Sequence, residues 1–298
     1  MHRLSSTRTT PRSGSFDLII SDIDGCLSPE DNVPIDLAFI ARVRDYNTRA
    51  ASPAHDAPPP LTLCSGRPQP FAEAMCKLLD IRDVPCVCEN GAWVYRLRDN
   101  RYDLDPAVTP EDLRAVRDLS DWVRREFGSP RHDRGHAVGV TQQPGKFASV
   151  SLYHPDTAYL KSLMPTIERH VASAGWPIRV SATWLYINLD LRHVSKGTGL
   201  DRMLAMLRLH EPPLPSSDDS GSRPPDSAAS RFSHSRLAGI GDTTSDLPIR
   251  ERCAFFACPA NAHDQIKRLA DYVSPFAEAE GVVDILRQIE SRSTAADP

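Results

Sequence analysis

The sequence predicts an α/β fold, a doubly wound, Rossmann-like parallel sheet interrupted by an inserted α+β domain. Three observations carry this expectation. Short apolar runs such as DLIIS, LTLC and CAFFAC lack polar–apolar alternation, as strands covered on both faces do. Segments with helical spacing separate those runs, the order expected of βαβ units. Between Tyr95 and Arg192 the pattern changes to alternating strands and two helices, read as a separate unit spliced into the first.

The elements follow in order. DLIIS is the first buried strand. Asp36 to Ala50 follows as a helix, with Leu37, Ile40, Ala41 and Val43 at helical spacing, and ASPAHDAPPP breaks it with prolines. LTLCSGR is a second strand ending on small polar residues, FAEAMCKLLD a helix, and VPCVC a third strand of the same sheet before ENGAWVY. In the inserted unit, TPEDLRAVRDLSDWVRREFG has a threonine start and an acidic first turn, which opens a helix. HAVGVTQ and FASVSLYH alternate as half-exposed antiparallel strands, and IRVSATWLYINLDL supplies two more. DTAYLKSLMPTIERHVASAG reads as one helix kinked at Pro165. KGTGLDRMLAMLRLH returns to helix, and the Pro/Ser/Asp-rich stretch 211–235 reads as a disordered loop. RLAGIGDTTSD, CAFFACP, NAHDQIKRLA, DYVS and GVVDILRQIE complete the core as strand, strand, helix, strand and helix. The expected division is a tail at 1–15, a core at 16–95 and 193–290, an insert at 96–192 and a tail at 291–298.

Composition narrows the function. Hydrophobic residues make up 40% and charged residues 25% of the 298 residues, as in soluble globular proteins. A net charge of -4 argues against nucleic acid as the main partner. No apolar run is long enough to span a bilayer, so no membrane partner is expected. MHRLSSTRTTPRSGS has no apolar core of a secretory signal, and the seven cysteines lie mostly in apolar runs. Both point to reduced, buried thiols and a cytoplasmic location.

The chemistry gathers where strands end. Ligands of parallel α/β sheets bind at the carboxyl ends of the strands. DLIIS runs into Asp22-Ile23-Asp24-Gly25, and in a straight strand both carboxylates would share a face. Such a pair, costly to desolvate, suits a hard cation such as Mg²⁺ that keeps waters and takes substrate phosphate. LTLC ends on Ser65-Gly66-Arg67, a hydroxyl and backbone N–H groups suited to phosphate oxygens. HVSKGTGL places Lys196 at the start of a helix without the upstream glycine of a P-loop. AGIGDTTSD places Asp242 and Asp246 just beyond another buried strand.

In that order, Asp-x-Asp-Gly, Ser-Gly-Arg, Lys-Gly and Gly-Asp-x-x-x-Asp resemble the motifs of the haloacid-dehalogenase superfamily of phosphohydrolases. The resemblance is to the Cof-like branch, with a large α/β cap between the second and third motifs, and covers Phe16 to about Glu290. It is extended by CENGAWVY and by the C-terminal stretch from Pro259. It implies Asp22 as nucleophile, forming an aspartyl-phosphate. It implies Asp24 as acid and then base, and Ser65, Gly66, Lys196 and Ser245 around the phosphate. Mg²⁺ would be held by Asp22, the Asp24 carbonyl and Asp242, with Asp246 in support. Two positions depart from the family's usual pattern: Cys26 stands in place of threonine, and Ser245 in place of asparagine.

The cap would choose the leaving group. Its candidates are His136, Gln142, Lys146, Tyr153 and Asn188, and above all Asp190, Arg192 and His193, which lie closest in sequence to Lys196. GSPRHDRGHA, with His132, Asp133 and His136, reads as a loop rather than a zinc site. The expected function is Mg²⁺-dependent hydrolysis of a small phosphorylated metabolite, a sugar phosphate foremost. A phosphomannomutase-like mutase and a non-catalytic binding protein of the same fold are the alternatives.

Overall fold

The computed structural model describes residues 16–30, 33–52, 54, 57–129, 138–209 and 234–294. The tail expected at 1–15, His132, Asp133 and His136, and all but the last two residues of the loop expected at 211–235 lie outside the described residues.

The elements in chain order begin with β1 (Leu18–Ser21), α1 (Leu37–Ala50), β2 (Leu61–Leu63), α2 (Gln69–Leu79), β3 (Cys86–Cys88), β4 (Trp93–Arg96) and β5 (Arg101–Leu104). The insert continues with α3 (Pro110–Phe127), β6 (Thr141–Gln142), β7 (Ser149–Tyr153), α4 (Thr157–Ser162), α5 (Met164–Ala174), β8 (Ile178–Ala182) and β9 (Tyr186–Leu191). The chain then returns through α6 (Lys196–Leu209), β10 (Leu237–Ile240), α7 (Leu247–Arg250), β11 (Phe255–Cys258), α8 (Asp264–Lys267), β12 (Tyr272–Val273) and α9 (Glu278–Thr294).

Five parallel strands form the core sheet in the order β12-β11-β10-β1-β2. Successive side chains of a strand point to opposite faces, and each face is apolar here. Ile19, Leu61, Leu63, Ile240 and Phe255 pack with Ile40 and Val43 of α1 and Ile285 and Leu286 of α9. Leu18, Ile20, Leu237 and Phe256 pack on the other side with Leu200, Met203 and Leu204 of α6. Burial on both faces is why these strands read as unbroken apolar runs.

The insert has a hydrophobic cluster of its own. Its four-stranded antiparallel sheet, β6-β7-β9-β8, lays Val150, Leu152, Ile187, Leu189 and Ile178 against Val116, Leu119 and Val123 of α3 and Ile167 and Val171 of α5. The alternate residues Ser151, Asn188 and Ser181 stand in register across the sheet, as do Ser149, Asp190 and Arg179. One face of this sheet is therefore polar throughout.

Three sequence expectations are corrected. VPCVC does not extend the parallel ladder. β3 pairs antiparallel with β4 and meets the core sheet through a single parallel bridge, Cys64–Val87, and through the bond from Thr62 Oγ1 to the carbonyl of Pro85. Trp93 and Val94 follow the tight turn at Glu89–Gly91 after Ala92 alone, so the hairpin partner is closer in sequence than the sheet edge. Pro165 does not kink one helix but begins a second: α4 ends at Ser162, and proline takes the first turn of α5, where its missing N–H costs nothing. Residues 291–294, assigned to a tail, continue α9.

Candidate active site

β1 ends at Ser21, before the first aspartate. The chain then turns so sharply that the N–H groups of Cys26, Leu27 and Ser28 all point to the carbonyl of Ile23. Asp24 lies in this turn, past the end of the strand, and lines the same cavity as Asp22. Asp22 is 5% exposed, and its Oδ1 accepts the N–H of Ile23 at 2.7 Å. Gly25 makes the turn possible: its φ is +72°, and a Cβ there would lie 2.0 Å from Asp242 Oδ2.

Asp242 and Asp246 follow β10, the direct neighbour of β1 in the sheet. Lys196, the first residue of α6, donates to Asp22 Oδ2 at 2.7 Å and to Asp246 Oδ1 at 2.6 Å. The other oxygen of Asp246 accepts the N–H groups of Asp242 and Thr243, so this carboxylate holds both the loop and the lysine. One oxygen from each of Asp22, Asp242 and Asp246 lies within 4.8 Å of the others, and all three residues are buried.

Three buried carboxylates here face a single ammonium. Burial, with repulsion from Asp246, pushes the Asp22 carboxyl up to about 8. Burial, with repulsion from Asp246 and Asp22, pushes Asp242 up to about 9. Burial would discharge Lys196, but Asp22 and Asp246 outweigh it and hold the lysine charged. Among the described residues the Asp242 carboxylate receives only the Cys26 thiol, at 4.0 Å, a weak and distant donor. A buried carboxylate so poorly supplied with donors, in an all-oxygen cluster, fits a hard divalent cation. The Cys26 thiol itself is pushed well up by burial and then by Asp242, so it stays neutral beside the cluster. Its chemistry adds no charge where the departure from threonine left a question.

The remaining residues divide sharply. Ser65 is wholly buried beneath the cavity, where its Oγ accepts the Arg67 N–H at 3.2 Å. Gly66 and Ser245 line the cavity, and Ser245 Oγ lies 2.8 Å from Thr243 Oγ1. Asp24 is gripped by Arg67, whose Nε lies 2.8 Å from Oδ2 and whose terminal nitrogen lies 2.5 Å from Oδ1. Asp190, on β9, also faces the cavity and takes the Asn90 amide at 3.1 Å. Arg192 and His193 do not join it: Arg192 Nε donates to the carbonyl of Ile178, and His193 lies 3.6 Å from Asp112. Nearness to Lys196 in sequence misled here, because the chain leaves the polar face of the cap sheet once β9 ends at Leu191.

Sequence reasoning also missed the turn that joins core to cap. Glu89, 2% exposed, accepts the N–H groups of Phe147 at 2.6 Å and Ala148 at 2.9 Å. Its own N–H bonds the carbonyl of Arg67, and that of Asn90 bonds the carbonyl of Ser65. Glu89 and Asn90 have φ of 46° and 52°, a left-handed pair that aims both side chains at the cap. Asn-Gly in ENGAWVY is the local signal for such backbone. The two layers enclose a cavity of about 330 Å³, with Asp22, Lys196 and Asp242 below and Lys146, Ser151, Arg179, Asn188 and Asp190 from the cap.

No family model matches the chain. It is 24% identical over 275 residues to a phosphoglycolate phosphatase of Methanopyrus kandleri, covering 91% of this chain and 96% of the relative. Its fold matches a Thermoplasma acidophilum protein of known structure with a TM-score of 0.63 at 18% identity, covering 93% of this chain and 99% of the other. It matches a HAD/COF-like hydrolase of Plasmodium vivax with a TM-score of 0.62 at 16% identity, covering 94% and 97%. Four separated loop motifs meet at one end of the core sheet, under an α+β insert, in a chain similar over nearly its full length to a phosphatase. The chain is thus similar over nearly its full length to a phosphoglycolate phosphatase, and it shares the fold of HAD/COF-like hydrolases of known structure.

Proposed function

We propose that this phosphohydrolase is a Mg²⁺-dependent phosphatase that cleaves a small phosphate monoester through a covalent phosphate on Asp22. The observation that carries the proposal is the buried cluster of Asp22, Asp242 and Asp246 around Lys196, at the floor of a cavity between core and cap. Asp22, Asp242 and the carbonyl of Asp24 would hold Mg²⁺, with Asp246 in support, and the ion would neutralise charge on the transferring phosphoryl group.

The chain's own residues divide the work. An oxygen of Asp22 attacks phosphorus, and the ester P–O bond breaks as the Asp22–phosphorus bond forms. Lys196 stands beside that oxygen and offsets the charge that would otherwise keep an anionic ester away. Asp24 acts as the acid toward the leaving oxygen. Its carboxylate then takes a proton from the water that cleaves the phosphoaspartate, releasing phosphate and restoring Asp22. To do so Asp24 must exchange the Arg67 fork for the substrate, which makes Arg67 the residue that positions it in the free protein. The cavity of about 330 Å³ is of a size that admits a sugar phosphate or a smaller ester.

The test is a panel of phosphate esters incubated with the purified protein and Mg²⁺, following phosphate release. We expect metal-dependent turnover that Asp22→Asn abolishes. Equal release by Asp22→Asn would remove Asp22 from the nucleophilic role, and no release from any ester by the wild type would remove the phosphatase assignment itself.

A further inference from the structure

The roof of the cavity differs in charge from its floor. On the floor each cation is committed: Lys196 to Asp22 and Asp246, Arg67 to Asp24. On the roof, Lys146 projects from the β6–β7 connection, and its Nζ donates to Ser151 Oγ at 2.5 Å. That hydroxyl donates in turn to Asn188 Oδ1 at 2.5 Å, so a row of neutral groups anchors the ammonium. Among the described residues no carboxylate lies within ion-pair distance of Lys146. Arg179, in the neighbouring row of the same face, donates to the carbonyl of Val194 at 3.5 Å and lies 3.7 Å from Asp190.

Lys146 is also fixed in place from below. The next two residues, Phe147 and Ala148, give their N–H groups to buried Glu89. A lysine on a pinned loop loses less freedom on binding a ligand than a lysine on an open one. Burial pushes its ammonium down despite the pull of Asp190 and Glu89, so the position favours arrival of negative charge. A neutral polyol filling the cavity would instead strip water from this ammonium and return only a hydroxyl.

We infer that Lys146, assisted by Arg179, reads a second anionic group on the substrate, so that the preferred ester carries a carboxylate or a further phosphate on its carbon skeleton. This rests on the phosphatase assignment proposed above and narrows its substrate class away from neutral sugar phosphates. Lys146 is then a specificity residue, and Glu89 positions it.

Two matched pairs of esters test the inference with the full chain and Mg²⁺. The first is 2-phosphoglycolate against 2-hydroxyethyl phosphate, and the second is glucose 1,6-bisphosphate against glucose 6-phosphate. We expect the wild type to favour the anion-bearing member of at least one pair by about tenfold or more in kcat/KM. Preference in the first pair assigns a carboxylate, and in the second a phosphate. In Lys146→Met that ratio should fall by about tenfold, and Lys146→Arg should restore most of it. Because a ratio is read, loss of folded protein does not imitate the effect. Equal kcat/KM within both pairs, or a ratio unchanged in Lys146→Met, would overturn the inference and leave the phosphatase assignment standing. No phosphate release from any ester would overturn both.

Discussion

Replacing Asp242 by asparagine should stabilise the metal-free protein while abolishing activity. Asp242 is 3% exposed, and burial with its two carboxylate neighbours moves it from 3.8 up to about 9. In the folded, metal-free protein at pH 7 it therefore keeps a proton that the unfolded chain has released. Folded protein binds more protons than unfolded protein across this window, so the metal-free stability falls as pH rises through it. Each pH unit between 3.8 and 7 is worth about 1.4 kcal/mol, which sets a ceiling of about 4 kcal/mol at pH 7. An asparagine amide carries no charge but needs partners of its own, so about 2 kcal/mol of net gain is the expected size. For a chain of this length that is about 4–8 °C in Tm. The assay is thermal unfolding in EDTA at pH 7 and pH 5. At pH 5 the ceiling drops to about 1.6 kcal/mol, so the gain should shrink. Added Mg²⁺ should raise the Tm of the wild type and not that of the variant. A variant less stable than wild type in EDTA at pH 7, or a gain independent of pH, would refute the reasoning.

Three further outcomes follow from the same cluster. Lys196→Met leaves Asp22 and Asp246 buried without their ammonium and should cost about 3–5 kcal/mol in EDTA, read by denaturant unfolding. A loss under about 1 kcal/mol would mean that the lysine is not the main counter-charge. Gly25→Ala forces a Cβ onto Asp242 in a left-handed turn and should cost about 1–2 kcal/mol from the backbone alone. It should also weaken Mg²⁺ binding, measured by thermal shift against metal concentration; unchanged affinity would show that the turn does not set the ligand geometry. Since Asp22 sits at about 8 and Asp242 at about 9 without metal, Mg²⁺ must displace protons at pH 7. Its apparent affinity should rise from pH 6 to pH 9. Titration calorimetry in buffers of different ionisation enthalpy should register proton release, and none would contradict the raised values.

What could be read from the sequence depended on how locally each feature was encoded. Asp22, Lys196, Asp242 and Asp246 each stand at or just beyond the end of an apolar run or at the start of a helix. Parallel-sheet topology alone brings such positions to one end of the sheet. The inserted cap showed itself because strand alternation there has a different period of burial from the core runs. The Asp24–Arg67 fork joins residues far apart in sequence, and nothing in SGR marks the arginine as a partner of Asp24. Glu89 stood within a noticed motif, but its role needs the β6–β7 connection to return over it, which only the folded cap does. Lys146 and Asn188 were among the polar cap candidates and do face the cavity, whereas Arg192 and His193 were favoured by proximity and face elsewhere. Alternation along β9 separates these cases, because Tyr186, Asn188 and Asp190 share a face that ends with the strand.

The central claim is that phosphate passes through Asp22. It is tested most directly by acid-quenching the protein during Mg²⁺-dependent turnover and mapping its peptides by mass spectrometry. A phosphoryl group on the peptide and side chain of Asp22, absent from Asp22→Asn and lost on hydroxylamine treatment, is the expected result. Turnover with no covalent phosphate at Asp22, and with activity retained in Asp22→Asn, would contradict it.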